Sequence, residues 1–351
     1  MSVSARPAPP RHRRTSRQAP AVPLETPARL ETPARQESPA RQENAVPLGT
    51  AAPLETAVPL GSPAPFGSPD PLGSGVPLGG GESARPDGRS EMSVRVEHGR
   101  MVDVLTTEGQ LLTAATHDAR RDRAVPGPSG RTVGETVRNA GDLCEQALSW
   151  MRTGPSGAAG IGGSAARHAP LPEDASLREL TGRFTARLAE LLAEFAMRPP
   201  EEPCPTWWPE EHTTSFWVRR AVHATTVARV DVQAAADVER TPIYGDVALD
   251  GVEEVLRVWL DYRLHSLGIK GVRTGSVEVA AGGHRWRVDT TPERTTVSPG
   301  AGARPASARL GGEPCAVYLW LWGRLPDREV ETSGDPDVLA QLWGLLRLAT
   351  Q

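Results

Sequence analysis

Proline divides this chain into two parts that cannot fold in the same way. Half of the 34 prolines lie in residues 1–90. Residues 24–77 repeat a six-residue unit, from LETPAR to LGSGVP, and nearly every unit contains proline. Hexads with a leading aliphatic residue can indicate a β-helix, but each proline removes a backbone donor that a strand needs. We therefore predict a disordered, Pro- and Gly-rich tail over residues 1–90, serving as a solvated linker or as a docking segment for a protein partner.

Charge and cysteine content narrow the function classes. The net charge is −4, with about +2 on the tail and −6 on the body, which argues against a nucleic-acid-binding surface. No apolar run approaches the roughly 18 residues of a membrane span, and no apolar segment follows the N-terminal arginines as in a secretory signal. The cysteines, Cys144, Cys204 and Cys315, are odd in number and far apart. We therefore expect a cytoplasmic protein without a disulfide framework.

The body begins with a helical pattern. Apolar residues at spacings of three and four predict helices, and two of these have a capping box at their start, Thr132 with Glu135 and Ser176 with Glu179. The predicted helices cover residues 92–119, 132–153, 176–198, 215–237 and 250–264.

The pattern changes after Gly271. Val277 with Val279, and Trp286 with Val288, alternate around Gly282-Gly283, which predicts two strands joined by a turn. A further strand is predicted at 307–311, with helices at 316–324 and 337–348. The fold class is α+β.

Three segments carry a more specific signal. The first is FWVRRAVHATTVARVDVQAAAD, followed by DVALDGVEEVL. The second is VPGPSGRTVGETVRN at 125–139, and the third is YLWLWGRLP with GDP further on. In this order they resemble the mycothiol-dependent maleylpyruvate isomerase family. The resemblance covers about residues 95–349. It implies a DinB-like four-helix bundle over 91–268 and a small α+β C-terminal domain over 269–351, after the tail.

The resemblance also implies a metal site. In that family a His of the second helix, and a Glu and a His four apart on the fourth, hold a divalent metal, usually zinc. Mycothiol binds there as a thiolate and adds to a double bond of the substrate, and release gives the isomer; other members transfer the thiol. Here those positions hold Asn139, Ala224 and Ala228. Alanine has no donor atom and asparagine is a weak ligand for zinc, so we expect the family's zinc not to be bound.

Other residues are candidates for a ligand pocket. We select Asn139, Arg219, His223, Arg229, Asp231 and Arg324.

Each candidate has a structural alternative. His223 lies about 100° around the helix from the lost Glu, so a hydrogen bond to a carbonyl or carboxylate is favoured over metal ligation. Asp231 can pair with Arg219 or Arg229. Arg324 can clamp an anionic substrate or complement a helix C-terminus.

The remaining features are weaker. A loose Cys204, His212 and His223 set matches no metal spacing. Cys144 is either a core residue or a thiol near the vacated pocket. One of Trp320 and Trp322 can face a cleft between the domains.

Three hypotheses follow from these residues. The first is a non-catalytic or metal-independent family member that binds a thiol, such as mycothiol, or a small acid, or that acts as a regulatory or scaffold protein. The second is an enzyme. It is either a metal-independent transferase that positions mycothiol with Arg219, Arg229 or Arg324 as anion clamps, or an active mycothiol-dependent isomerase or S-transferase with a rebuilt site. The third is an interaction module recruited through its Pro-rich tail. Whether the chain is an enzyme stays open at this point.

Overall fold

The computed structural model describes residues 94–153 and 171–350. The predicted tail over 1–90 and most of the predicted loop at 154–172 lie outside those residues. The described part is a mixed α and β structure. It belongs to a single contact unit, and the boundary between helical and α+β domains near residue 268 stays a prediction. No helix in the described ranges is long and apolar enough to cross a membrane.

Four long helices come first, and they pack on one another: α1 on α4, α2 on α3 and on α4, and α1 on α3. Their bounds are α1 His98–Ala115, α2 Val133–Thr153, α3 Leu177–Met197 and α4 Thr214–Ala235.

The helix starts follow the capping signals in the sequence. Both capping boxes form. Ser176 Oγ accepts from Glu179 N, and Glu179 Oε2 accepts from Ser176 N. Thr132 and Glu135 make the same two hydrogen bonds. The first helix is shorter than predicted because Glu97 caps it, accepting from the main-chain N–H groups of the first turn. Its predicted start at residue 92 is therefore wrong.

A fifth helical segment connects the bundle to the sheet. It is longer than the predicted 250–264, because it begins five residues earlier. It comprises α5 Gly245–Glu254, a π-helical stretch Val255–Arg263 and a last turn, α6 Leu264–Ser266. α7, Pro314–Leu321, packs on α5, and this contact brings the chain's C-terminal part onto the bundle.

A five-stranded sheet follows, with the order β3-β2-β1-β4-β5. β1 pairs antiparallel with β2 and parallel with β4. The predicted turn is present, and both Gly282 and Gly283 have the positive φ of a tight hairpin. The π-helical stretch, α7 and α8 pack on this sheet. The bounds are β1 Gly275–Ala281, β2 His284–Thr290, β3 Thr295–Pro299, β4 Ala308–Gly312, β5 Glu331–Gly334 and α8 Pro336–Ala349.

Candidate functional site

Most of the predicted site residues lie on α4, which is buried along nearly its whole length. A helix so enclosed must pair each of its charges inside the protein. The partners come from α1, from α5 and from the segment after α7, so the contacts of α4 connect the bundle to the C-terminal part.

Asp250 is the centre of the first cluster. Its side chain is 1% exposed, and Oδ1 accepts from Arg219 Nε at 2.5 Å and lies 2.8 Å from His223 Nε2. Oδ2 accepts from the main-chain N–H of Val96 at 3.1 Å. Burial alone would raise the pKa of Asp250, but Arg219 and the hydrogen bond from His223 hold it well below its usual range. The carboxylate is therefore ionised.

His223 is fully buried beside this carboxylate. Its Nδ1 lies 3.4 Å from the Tyr318 hydroxyl on α7, so both ring nitrogens have partners. The Tyr318 ring packs directly against α5 at Gly251. No larger residue fits at Gly251, because its Cβ would lie 2.3 Å from Tyr318 Cε2. The histidine thus makes the carboxylate contact that its place on the helix favoured, and it has no nitrogen left for a metal.

Two further buried pairs hold α4 to its neighbours. Arg220 bonds Glu254 and lies over the Trp259 ring, 5.0 Å from its centroid. Arg229 is fully buried and donates from Nε and Nη2 to the two carboxylate oxygens of Glu108 on α1, at 2.6 and 3.2 Å. Both arginines are structural contacts between helices.

Asp231 pairs with neither Arg219 nor Arg229, so that expectation is wrong. Those two arginines have Asp250 and Glu108 as partners. Asp231 instead accepts a bidentate pair from Arg324 Nε and Nη2, at 2.9 and 2.6 Å. Residues two apart on a helix point to different sides, which is why Asp231 and Arg229 reach different neighbours.

Arg347 on α8 adds an unusual cation near Arg324. It is 5% exposed, and its Nε and Nη1 have no hydrogen-bond partner in the described ranges. Burial and the charge of Arg324 lower its pKa to about 10. Gly323 has a φ of 71°, and a Cβ there would also overlap the Arg347 guanidinium, so glycine is favoured at this position.

The three positions aligned with metal ligands are not gathered around donors. Asn139 is exposed on α2, Ala224 is half-buried and Ala228 is 7% exposed. Among residues 94–153 and 171–350, no group of three or more His, Cys, Asp or Glu side chains is placed to hold a metal ion.

The other predicted candidates are parts of the packing. His212 Nδ1 lies 3.2 Å from the Thr206 hydroxyl, and Cys204 is buried, so the loose set with His223 does not form. Cys144 lies in the core, where burial raises the pKa of its thiol to about 12. Trp320 and Trp322 are both buried, so neither presents its ring as an open surface.

Sequence reasoning missed three residues of this network. Glu108, Tyr318 and Arg347 lie on elements far from α4 in sequence. Of these three, Glu108 could have been found from the sequence, because it is an acid on the apolar stripe of α1. An acid in that position requires a buried partner.

Comparisons with known proteins give a distant structural match. No family model and no curated protein matches this chain. A crystal structure of a mycothiol-dependent maleylpyruvate isomerase is similar, at a TM-score of 0.44 and 13% identity, over 68% of this chain and 95% of that one. A mutant of a mycothiol-dependent maleylpyruvate isomerase gives the same values. The isomerase activity belongs to those proteins.

Proposed function

We propose that this chain has the DinB-like scaffold of the maleylpyruvate isomerase family without its metal. In this proposal it is a metal-independent binding protein for a small acid or a thiol of the mycothiol kind. The observation that carries the proposal is a contrast between the motif residues and the positions of the metal ligands. The residues that match the family motif make contacts between helices, whereas the positions of the metal ligands carry two alanines and an asparagine.

The matched residues support the scaffold part of this proposal. Arg219, Arg220 and Asp231 each pair with a residue of another matched segment: Asp250, Glu254 and Arg324. A sequence that keeps these pairs keeps the arrangement of α4, α5 and the segment after α7. It needs no metal to do so, because each pair satisfies its own charges.

The donor chemistry does not fit a zinc ion. Catalytic zinc needs three protein ligands and an open position. Ala224 and Ala228 offer none, and Asn139 offers an amide at most. His223, one residue from Ala224, is fully buried, and its ring nitrogens lie beside Asp250 and Tyr318. No step through a metal is therefore part of the proposed function.

The charge on one side of α4 supports an acidic ligand. Asp231 lies within about 60° of Ala224 and Ala228 around the helix axis. On that side Asp231 pairs with Arg324, and Arg347, whose Nη2 donates to the Leu321 carbonyl, has no carboxylate partner in the described ranges. An unpaired buried guanidinium is costly, and a carboxylate placed beside Arg347 would remove that cost.

The first test is the metal content of the full-length protein after incubation with zinc and desalting. We expect a value near zero by mass spectrometry. About one tightly held zinc per chain would contradict the proposal, since the ligands would then have to come from elsewhere in the chain.

Reinstalling the ligands tests the position of the vacated site. The variant Asn139→His, Ala224→Glu, Ala228→His should bind about one zinc per chain, because three donors would then converge between α2 and α4. Its matched control, Ala224→Glu with Ala228→His alone, should bind zinc more weakly. Equal zinc content in the triple variant and the unmodified protein would show that these positions do not face one another.

Ligand binding without metal is tested by calorimetry. We expect saturable binding of maleate or of mycothiol in the presence of a chelator, and a loss of that binding in Arg347→Met. If neither compound binds, the acid- and thiol-binding part of the proposal is wrong.

A further inference from the structure

A small cavity lies where the start of α1 meets the first turns of α4 and α5. Its volume is about 90 Å³, enough for a group of roughly five heavy atoms. The polar residues around it include Arg95, His98, Ser215, Arg219 and Asp250. Arg219 and Ala224 are five residues apart, or about 140° around the α4 axis. The cavity is therefore on the opposite side of α4 from the vacated metal positions.

Arg219 brings an unused donor to this cavity. Its side chain is 6% exposed. Nε and Nη2 donate to the side chain and main chain of Asp250, the latter at 2.8 Å, while Nη1 has no partner in the described part of the chain. A buried donor without an acceptor is costly, and more so when the group is charged. An acceptor inside the cavity would remove this cost.

His98 presents a second unused polar group. Neither Nδ1 nor Nε2 of this ring has a hydrogen-bond partner among the residues that the structure describes, and both atoms are shielded from solvent. Burial lowers the pKa of His98. A neutral imidazole carries one N–H donor and one acceptor nitrogen. The nitrogen that faces the cavity therefore donates or accepts one hydrogen bond, according to the tautomer.

The neighbouring polar groups are already paired. The Glu97 carboxylate caps α1, and the first N–H groups of α4 donate to the main-chain carbonyls of Glu202 and Pro200, so neither helix end offers a free donor to the ligand. Asp250 repels an incoming anion only weakly, because Arg219 and His223 already share its Oδ1 and Val96 N–H donates to its Oδ2. Arg95 and Glu211 form an ion pair at 2.7 Å.

We propose that this cavity binds an oxyanion group that also carries a hydroxyl: a phosphate in its hydrogenphosphate form, or the carboxylate of a 2-hydroxy acid. One oxygen accepts from Arg219 Nη1, and the hydroxyl or a second oxygen bonds the His98 nitrogen that faces the cavity. His98 also lines an adjoining open depression of about 610 Å³. The rest of the ligand lies there, against Val102 and Phe195 and beside the carboxylates of Glu97 and Asp103, so that part of the ligand carries no negative charge. This inference is independent of the proposed function, whose site is on the other side of α4.

The test is calorimetry on the full-length protein with inorganic phosphate and, separately, with glycolate. We expect saturable binding of at least one of them. Binding of phosphate alone assigns a phosphate ligand, and binding of glycolate alone assigns a hydroxy acid. No saturable binding of either compound overturns the proposal.

Two variants assign the binding to this cavity. His98→Ala should weaken it about fivefold, since it loses one neutral hydrogen bond. Arg219→Lys keeps a charge beside Asp250 but lacks the forked donor, and it should weaken binding about tenfold or more. His117→Ala, an exposed histidine just beyond α1, is the matched control and should bind as the unmodified protein does. Unchanged affinity in folded His98→Ala overturns the proposal, whether or not Arg219→Lys folds. Arg347→Met should remove only glycolate bound at the acid site of the proposed function and keep the binding that depends on His98, which separates the two sites.

Discussion

Replacing Asp250 by asparagine is expected to lower the free energy of unfolding by about 3–5 kcal/mol, the range for breaking a buried ion pair from one side. The amide keeps the shape of the side chain but removes the charge opposite Arg219. That guanidinium is 6% exposed, so water cannot replace the lost partner. His223 and Val96 would also lose a carboxylate acceptor. Urea denaturation at pH 7 of the two full-length proteins measures the difference.

The pH dependence of that difference identifies its cause. In the folded protein the pKa of Asp250 lies well below its usual range, despite burial, because Arg219 and His223 stabilise the carboxylate. An unfolded Asp has a pKa of about 3.9. A group whose pKa falls on folding stabilises the protein above the unfolded pKa and loses that contribution as pH falls through the folded value. The stability gap between the unmodified protein and the Asp250→Asn variant should therefore be full at pH 6–7 and narrow steadily below about pH 4.

An exposed pair on the same helix is the control. Asp246, near the start of α5, pairs with Arg100, and both side chains are close to half exposed. Asp246→Asn should change stability little, because solvent screens such pairs. Equal losses for Asp246→Asn and Asp250→Asn would contradict the role given to burial.

The helical part of the fold could be predicted from local signals. The apolar spacing and the two capping boxes predict α2 and α3, because a cap and its helix lie within a few residues. β3 and β5 were missed for the opposite reason. β5 is exposed at all four residues, and most of β3 is at least partly exposed, so neither needs the apolar alternation that predicts a strand. They form because β2 and β4 offer them backbone partners.

The site could be predicted only in part. The motif indicated that Arg219, His223 and Asp231 matter, but local sequence does not fix which residues they contact. Their partners lie 27 to 95 residues away in the sequence, on α5, on α7 and in the segment after α7. The cavity at His98 was missed because the predicted first helix began at residue 92, which placed His98 inside a helix rather than at its end. The structure puts it at the first helical position, beside α4.

A double-mutant cycle on Glu108 and Arg229 should show that this pair holds α1 and α4 together without adding much net stability. Glu108→Leu alone leaves a guanidinium with no side-chain exposure beside apolar neighbours, and should cost about 3–5 kcal/mol. Arg229→Met alone leaves an uncompensated carboxylate and should cost a similar amount. The double variant removes both charges. It should recover to within about 1–2 kcal/mol of the unmodified protein.

The stability that the double variant does not recover has a specific source. Arg229 Nη1 also donates to Gln233 Oε1 and to the Thr241 carbonyl, both at 2.8 Å. Gln233 Oε1 keeps a bond from Thr241 N, so the carbonyl of Thr241 is the group that loses its donor. The matched control is the partly exposed pair of Arg152 and Glu194, 2.8 Å apart, where each single change should cost no more than about 1 kcal/mol. Strictly additive losses in the Glu108 and Arg229 cycle would contradict this account, because two groups that share one buried interaction cannot lose it twice.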